Sequence, residues 1–190
     1  MEMPMRTLVR RLGGALLVAW PLLGCSTQRP APVPRASHVD VPRYMGDWYV
    51  IASIPTPYEE SAVNAVESYK LLHNGKIETS FRYRKETPAG HLKTMSATGY
   101  VRPDTNGAIW GMQFVWPIKA QYVISWVDAD YHTVIVARDK RDYVWIMARS
   151  PTMPDPQYQQ LVDRVAAMGY DVKQLRKVPQ HWPEPPTQAR

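Results

Sequence analysis

The sequence predicts a mainly β protein: an eight-stranded antiparallel up-and-down β-barrel with one α-helix packed outside it near the C-terminus. Three observations carry this. Between Tyr58 and Ser150 only Pro88, Pro103 and Pro117 interrupt the chain, each beside turn residues, although the sequence has 18 prolines. Apolar-rich runs return there about every thirteen residues with turns and no helical period between them. After Ser150 the apolar period lengthens from two to about 3.6.

Taking the elements in order, residues 1–24 read as an export signal. Arg6, Arg10 and Arg11 precede an uncharged stretch from Leu12 to Gly24. As a helix that stretch would reach only about 20 Å, short of the ~30 Å hydrocarbon core of a bilayer. Leu22-Leu23-Gly24-Cys25 resembles the lipobox of bacterial lipoproteins, with Leu23 where a smaller residue is more usual. The resemblance implies cleavage before Cys25, the only cysteine, and its modification by a diacylglycerol and an N-acyl chain such as palmitate. Ser26, where Asp would favour the inner membrane, implies attachment to the outer membrane with the domain on its periplasmic face. Residues 25–38, with Pro30, Pro32 and Pro34 and no apolar periodicity, read as the lipidated cysteine and a semi-extended tether.

The predicted strands are Trp48–Ile54, Ala65–Leu72, Lys76–Arg84, Leu92–Arg102, Ala108–Val115, Gln121–Val127, Thr133–Arg138 and Tyr143–Arg149. In the third, Ile77, Thr79, Phe81 and Tyr83 oppose Lys76, Glu78, Ser80, Arg82 and Arg84, so one face is wet. In the last both parities are apolar, which calls for cover on both sides. Closing an eight-stranded meander removes its edges and leaves room for side chains or one small ligand. Asp155 is expected to cap a helix with Pro156 in its first turn. Tyr158, Leu161, Val162, Val165 and Met168 form its stripe and Gly169 its stop. Val172–Val178 reads as a short extra strand, and residues 183–190 as a flexible tail after a domain spanning 39–182.

Composition excludes several classes of function. One cysteine and five scattered histidines (His38, His73, His91, His132, His181) supply neither an intramolecular disulfide nor a metal cage, and no residue pattern calls for a cofactor. The formal charge is +6; without Arg6, Arg10, Arg11 and Glu2 it is +4, from 20 basic and 16 acidic side chains. That excess, with no Lys/Arg run, argues against nucleic acid and suits an anionic lipid surface better. No Gly-x-Ser-x-Gly, Ser/His/Asp order or paired acids point to catalysis, so the chain reads as a non-enzyme.

Three separated patches sharpen the fold: Tyr44-Met45-Gly46-Asp47-Trp48-Tyr49, Asp128-Ala129-Asp130-Tyr131, and Tyr143 to Pro151 with Arg149 near its end. Together they resemble the Gly-x-Trp-Tyr start, the Thr-Asp-Tyr turn (Ala129 replacing Thr) and the terminal-strand Arg of the lipocalin family, most nearly its bacterial outer-membrane lipoproteins. The resemblance covers about Val39 to Trp182. It implies that Gly46, Trp48, Asp130, Tyr131 and Arg149 are structural, with Arg149 packed over Trp48 at the closed base of the barrel. It also implies a cavity for fatty acids or lysophospholipids, used in storage, transport or maintenance of envelope lipids.

If Trp48 marks the base, loops 55–64, 86–91, 116–119 and 139–142 surround the mouth. Parity then points Val50, Ala52, Tyr143, Trp145 and Met147 inward, and the family register adds Tyr122, Ile124 and Trp126. The apolar faces contribute Phe81, Tyr83, Trp110, Met112 and Phe114, with small Ala97 and Gly99 leaving room. The alternative is that these large side chains fill the barrel. Lys119, following Trp116 and Pro117 at a mouth hairpin, is expected to hold an anionic head group. Glu67 shares parity with Tyr69 and Leu71: inside, it would need a proton or a partner; the reading adopted is a locally irregular strand with Glu67 solvated. The competing functions are a lipocalin-fold enzyme acting on bound lipid and an interaction module without ligand. Homodimerisation through the outer surface is compatible with binding, and haem or bilin is disfavoured because no histidine is assigned inward.

Overall fold

A computed structural model describes residues 30–185. The expected signal peptide, Cys25, the first part of the tether and residues 186–190 lie outside the described residues. A short helix α1 (Val41–Tyr44) leads into β1 (Gly46–Ile54), β2 (Ala62–Leu71), β3 (Ile77–Lys85), β4 (Leu92–Val101), β5 (Ile109–Val115), β6 (Ile118–Val127), β7 (Thr133–Ala137) and β8 (Val144–Ala148). Helix α2 (Asp155–Ala167), a 3-10 turn (Val172–Gln174) and the two-residue β9 (Arg176–Lys177) complete the chain. Each of the first seven strands pairs antiparallel with the next. β8 then pairs with β1 and β1 with β2, closing the barrel.

Two hydrophobic layers result. Inward side chains such as Val50, Tyr69, Phe81, Met112, Val134, Val136 and Met147 form the inner core, while Ile51, Ile135, Val144 and Ile146 form an outer one beneath Leu161 and Val165 of α2. The double apolar parity of the last strand thus reflects a strand sandwiched between barrel interior and helix.

Two bulges revise the parity expected from the sequence. The register slips between Val50 and Ala52 in β1 and between Ile124 and Trp126 in β6. An extra residue turns the rest of the strand to the other face. Ala52 and Trp126 therefore lie in the outer layer, not the cavity, and Trp126 carries the Arg164 guanidinium 4.7 Å from its ring centroid.

The described parts of the expected tether and tail, residues 30–38 and 183–185, pack on the barrel. From Ala31 onward the chain is bound along the barrel wall. Val33 is buried and donates its N–H to Asp139 Oδ1 (2.9 Å), Ala36 donates to the Ile124 carbonyl (2.9 Å) and Val39 to that of Asn106 (2.8 Å). At the other end, β1 and β2 pair only over Gly46–Tyr49 against Val66–Tyr69, and the seam above leaves backbone groups that must be satisfied. The C-terminal segment supplies them. Gln180 Nε2 donates to the Val50 and Ala65 carbonyls (2.8 and 3.1 Å), and Asn64 N–H donates to the Pro179 carbonyl (2.9 Å). Glu184 pairs with Arg82 (3.0 Å) and Arg84 (3.1 Å). Asp155, expected as a cap, begins α2 and pairs instead with Lys177 (3.0 Å).

Candidate ligand-binding site

The base of the barrel is sealed by aromatic rings. Tyr44, brought over the opening by α1, lies 5.1 Å from both Trp48 and Trp110, and Trp110 stacks on Tyr122 at 5.3 Å. Trp48 Nε1 donates to the Tyr44 carbonyl (2.8 Å) and Trp110 Nε1 to that of Gly107 (2.7 Å), so the buried indoles leave no polar atom unpaired. The Arg149 guanidinium carbon sits 3.8 Å from the Trp48 ring centroid. Its nitrogens donate to the carbonyls of Asp47 (2.7 Å), Arg43 (3.0 Å), Tyr44 (3.1 Å) and Met45 (2.8 Å). Gly46 is required twice here. Its φ is +94°, and a Cβ would stand 3.3 Å from Arg149 Nη1.

Above this plug the barrel opens into a cavity of about 420 Å³, inside the range of roughly 300–1,000 Å³ typical of small-molecule sites. Phe81, Met95, Ala97, Met112, Phe114, Ala120, Tyr143 and Trp145 supply its apolar wall. Thr56, Pro57, Tyr58 and Glu59 overhang the mouth, and Glu67, Thr79 and Tyr122 lie toward the floor. The alternatives of filled core and cavity are thus each realised in one half of the barrel.

The floor is a polar chain in an apolar setting. Tyr69 donates its hydroxyl to Glu67; the Tyr69 and Tyr122 oxygens are 2.6 Å apart, and those of Tyr122 and Tyr44 2.7 Å. Each hydroxyl has one proton, so Tyr69's donation to Glu67 leaves Tyr122 to donate to Tyr69 and Tyr44 to Tyr122. One donor does not replace a hydration shell: burial pushes the Glu67 carboxyl up to about 7, against the Tyr69 hydrogen bond that favours the anion, and Glu59 adds repulsion. The inward, partnered reading of Glu67 therefore replaces the solvated one. Burial also raises the Glu59 carboxyl, although Thr56 N–H donates to it (2.9 Å). Thr79 Oγ1, buried beside Glu67 on the floor, has no partner among the described residues.

Of the residues predicted to line the pocket, Met112, Phe114, Tyr122, Tyr143 and Trp145 border the cavity. Trp110, Ile124 and Met147 point inward but are fully buried in the core around and below the plug. Tyr83 braces the mouth, donating its hydroxyl to the Tyr58 carbonyl (2.7 Å). Lys119 is on the outer face: its ammonium stands 3.7 Å from the Tyr100 ring centroid and its stem packs on Gly111. Tyr122 and Ala120 border the cavity, so Lys119 has the opposite, outward parity, and its place near the hairpin tip does not turn its side chain over the mouth.

The cation that borders the cavity is Arg138, which the sequence does not single out. It pairs with Asp142 (3.3 Å), lies 5.3 Å from the Tyr143 ring centroid and keeps its Nε buried without a hydrogen bond. A signal for it exists, since Val134, Val136 and Arg138 share one parity in the seventh predicted strand. Tyr69 shares the inward parity of Glu67, whereas Tyr44, in α1 outside the strands, carries no such signal.

Against known proteins, residues 39–180 match the family model described as a lipocalin-like domain. The chain is 28% identical over 162 residues to the outer membrane lipoprotein Blc of Citrobacter freundii, covering 85% of this chain and 91% of that one. It is 28% identical over 150 residues to temperature-induced lipocalin-1 of Arabidopsis thaliana, covering 75% and 80%. Among solved structures, insecticyanin from the tobacco hornworm Manduca sexta superposes with a TM-score of 0.65 at 13% identity, over 84% of this chain and 90% of that one, a likeness of fold.

Proposed function

The chain belongs to the lipocalin-like family, and from that premise we propose that it is a lipid-anchored envelope protein that binds single-chain lipids, fatty acid or lysophospholipid, without transforming them. The observation that carries the proposal is the blind cavity of about 420 Å³, apolar along its wall and sealed by Tyr44, Trp110 and Tyr122. Its relatives include outer membrane lipoproteins, and Cys25 stands where a lipobox requires the acylated residue. Attachment to the outer membrane through Cys25 belongs to the same reading.

Electrostatics orient the ligand. An anionic head at the floor would meet Glu67, whereas at the mouth it meets Arg138, a planar donor suited to carboxylate or phosphate. The acyl chain therefore descends and ends against Glu67 in its neutral form.

Native mass spectrometry of the protein extracted from its own membrane tests the reading. A 1:1 complex with fatty acid or lysophospholipid is expected. A bare chain that also fails to take up added lysophospholipid overturns it. Arg138→Glu should weaken lysophospholipid binding by about tenfold, or ~1.4 kcal/mol. Turnover of labelled lysophospholipid by the pure protein would overturn the claim that binding is the whole activity.

A further inference from the structure

Large exposed apolar side chains are not scattered over this barrel. Among the described residues Tyr58, Leu92, Phe114, Val115, Trp116 and Ile118 are exposed at the open end, and only Leu71 at the base. The extreme case is the tip between β5 and β6, where Trp116 is 82% and Ile118 71% exposed. Phe114 and Tyr58 belong both to this patch and to the cavity wall, so the apolar surface runs from the outside of the rim into the cavity. A contiguous apolar patch of this kind on a water-facing rim marks a site of association.

The path of the N-terminal segment identifies the partner. The Ala31 carbonyl accepts from Arg141 Nη2 (2.9 Å) and Val33 N–H donates to Asp139 Oδ1 (2.9 Å), both in the β7–β8 turn at the open end. From there the segment descends past Ile124 to Asn106 at the base. The chain thus joins the barrel at its mouth. The six residues from Cys25 to Ala31 span at most about 22 Å. A ten-residue strand such as β6 is itself about 30 Å long. An acylated Cys25 consequently keeps the open end at the bilayer and lets the base stand away from it.

We propose that the open end is a bilayer-docking surface: Val115, Trp116 and Ile118 insert into the leaflet that holds the Cys25 acyl chains, and the cavity mouth opens directly onto lipid. Trp favours the membrane–water interface, where its ring is buried and its N–H stays wet. This rests on the lipidated, lipid-binding reading above, and adds to it a direction of approach. A lipid molecule would then slide from leaflet to cavity past Phe114 and Tyr58 without crossing water.

The test uses the mature acylated chain reconstituted in phosphatidylethanolamine/phosphatidylglycerol vesicles, with and without bromine on the acyl chains. Bromine should quench a component of the tryptophan fluorescence, and that quenching should be lost in Trp116→Ser. A Val115→Ser/Trp116→Ser/Ile118→Ser variant should keep its Tm and its lysophospholipid affinity in detergent, yet load labelled lysophospholipid from vesicles at least tenfold more slowly. Quenching that is absent, or unchanged by Trp116→Ser, overturns docking. So does a tip that instead joins two copies of the chain, seen as a dimer that the triple variant dissolves. Failure of the underlying reading looks different: Cys25 without acyl mass, or no lysophospholipid bound even in detergent.

Discussion

At the base of the barrel Asp128 accepts hydrogen bonds from the N–H groups of Asp130 (2.9 Å), His132 (3.0 Å) and Thr133 (2.5 Å) and from Thr133 Oγ1 (2.5 Å). Partial burial alone would raise its pKa, but these donors outweigh burial and hold it below the usual carboxylate range. Midway up, Glu67 has one donor, and burial wins. The same contrast runs through the two halves. The base pairs nearly every polar atom and fills its space with stacked rings, as a structural joint should. The open half leaves Thr79 Oγ1 and Arg138 Nε unpartnered around a cavity, which is the arrangement of a surface awaiting another molecule.

The sharpest way to break this comparison is to remove a ring from the base. Trp110→Ala should cost about 3–5 kcal/mol, because a fully buried indole leaves a hole that the strands cannot collapse. Urea denaturation measures this; a loss under about 1 kcal/mol would mean that the plug is dispensable. The next largest effect belongs to the open half. Glu67's rise from an ordinary 4.5 to about 7 corresponds to roughly 3 kcal/mol. Since the folded protein holds this proton more tightly than the unfolded chain, the stability it contributes is lost as pH climbs from about 4.5 through 7. Glu67→Gln should flatten that part of the Tm–pH profile and raise Tm relative to wild type at pH 8 but not at pH 4. An acyl chain ending on Glu67 favours its neutral form, so lipid affinity should also fall as pH rises through 7, and should cease to do so in the variant.

The division between halves also explains how much the sequence reveals. Every predicted barrel strand exists to within a few residues, because alternation is enforced wherever one side faces the core. Trp48 and Arg149 meet as the family resemblance implies. The illegible part turns on single-residue slips. The bulges that send Ala52 and Trp126 outward leave no signature in composition, and beyond them parity counting misleads. Lys119 differs: alternation from Tyr122 already turns it outward, and its place near the β5–β6 tip is what suggests the mouth. Arg138 and Glu67, by contrast, have the right parity for the cavity. Solvation argues against placing an ionisable side chain on an apolar face, which is the reason such residues are informative when the structure puts them there. The Pro-rich ends mislead differently. Their described parts, residues 31–39 and 179–184, serve as straps that supply partners to the wall and seam of the barrel.

A smaller effect at the base has the opposite sign to Glu67. Asp128→Asn keeps one acceptor oxygen and loses the charge that its donors favour. It should cost about 1 kcal/mol at pH 7. Asp128's folded pKa is depressed, so its contribution is present above the unfolded value near 3.8 and lost as pH falls through the lower folded one. The Tm difference between variant and wild type should therefore close in strong acid, where the Glu67 difference is also gone.

The smallest expected effect is the most discriminating. Trp116→Ala removes as large a side chain as Trp110→Ala, yet Trp116 is exposed and serves no buried contact, so unfolding should shift by less than about 0.5 kcal/mol with an unchanged denaturant slope. A loss above about 1 kcal/mol would show that the tip packs on the rim as the plug packs in the base, and would erase the distinction between halves. If stability holds, the large apolar ring has no folding role. Its influence must then be sought with a bilayer present, where an indole neutral in folding becomes favourable in association.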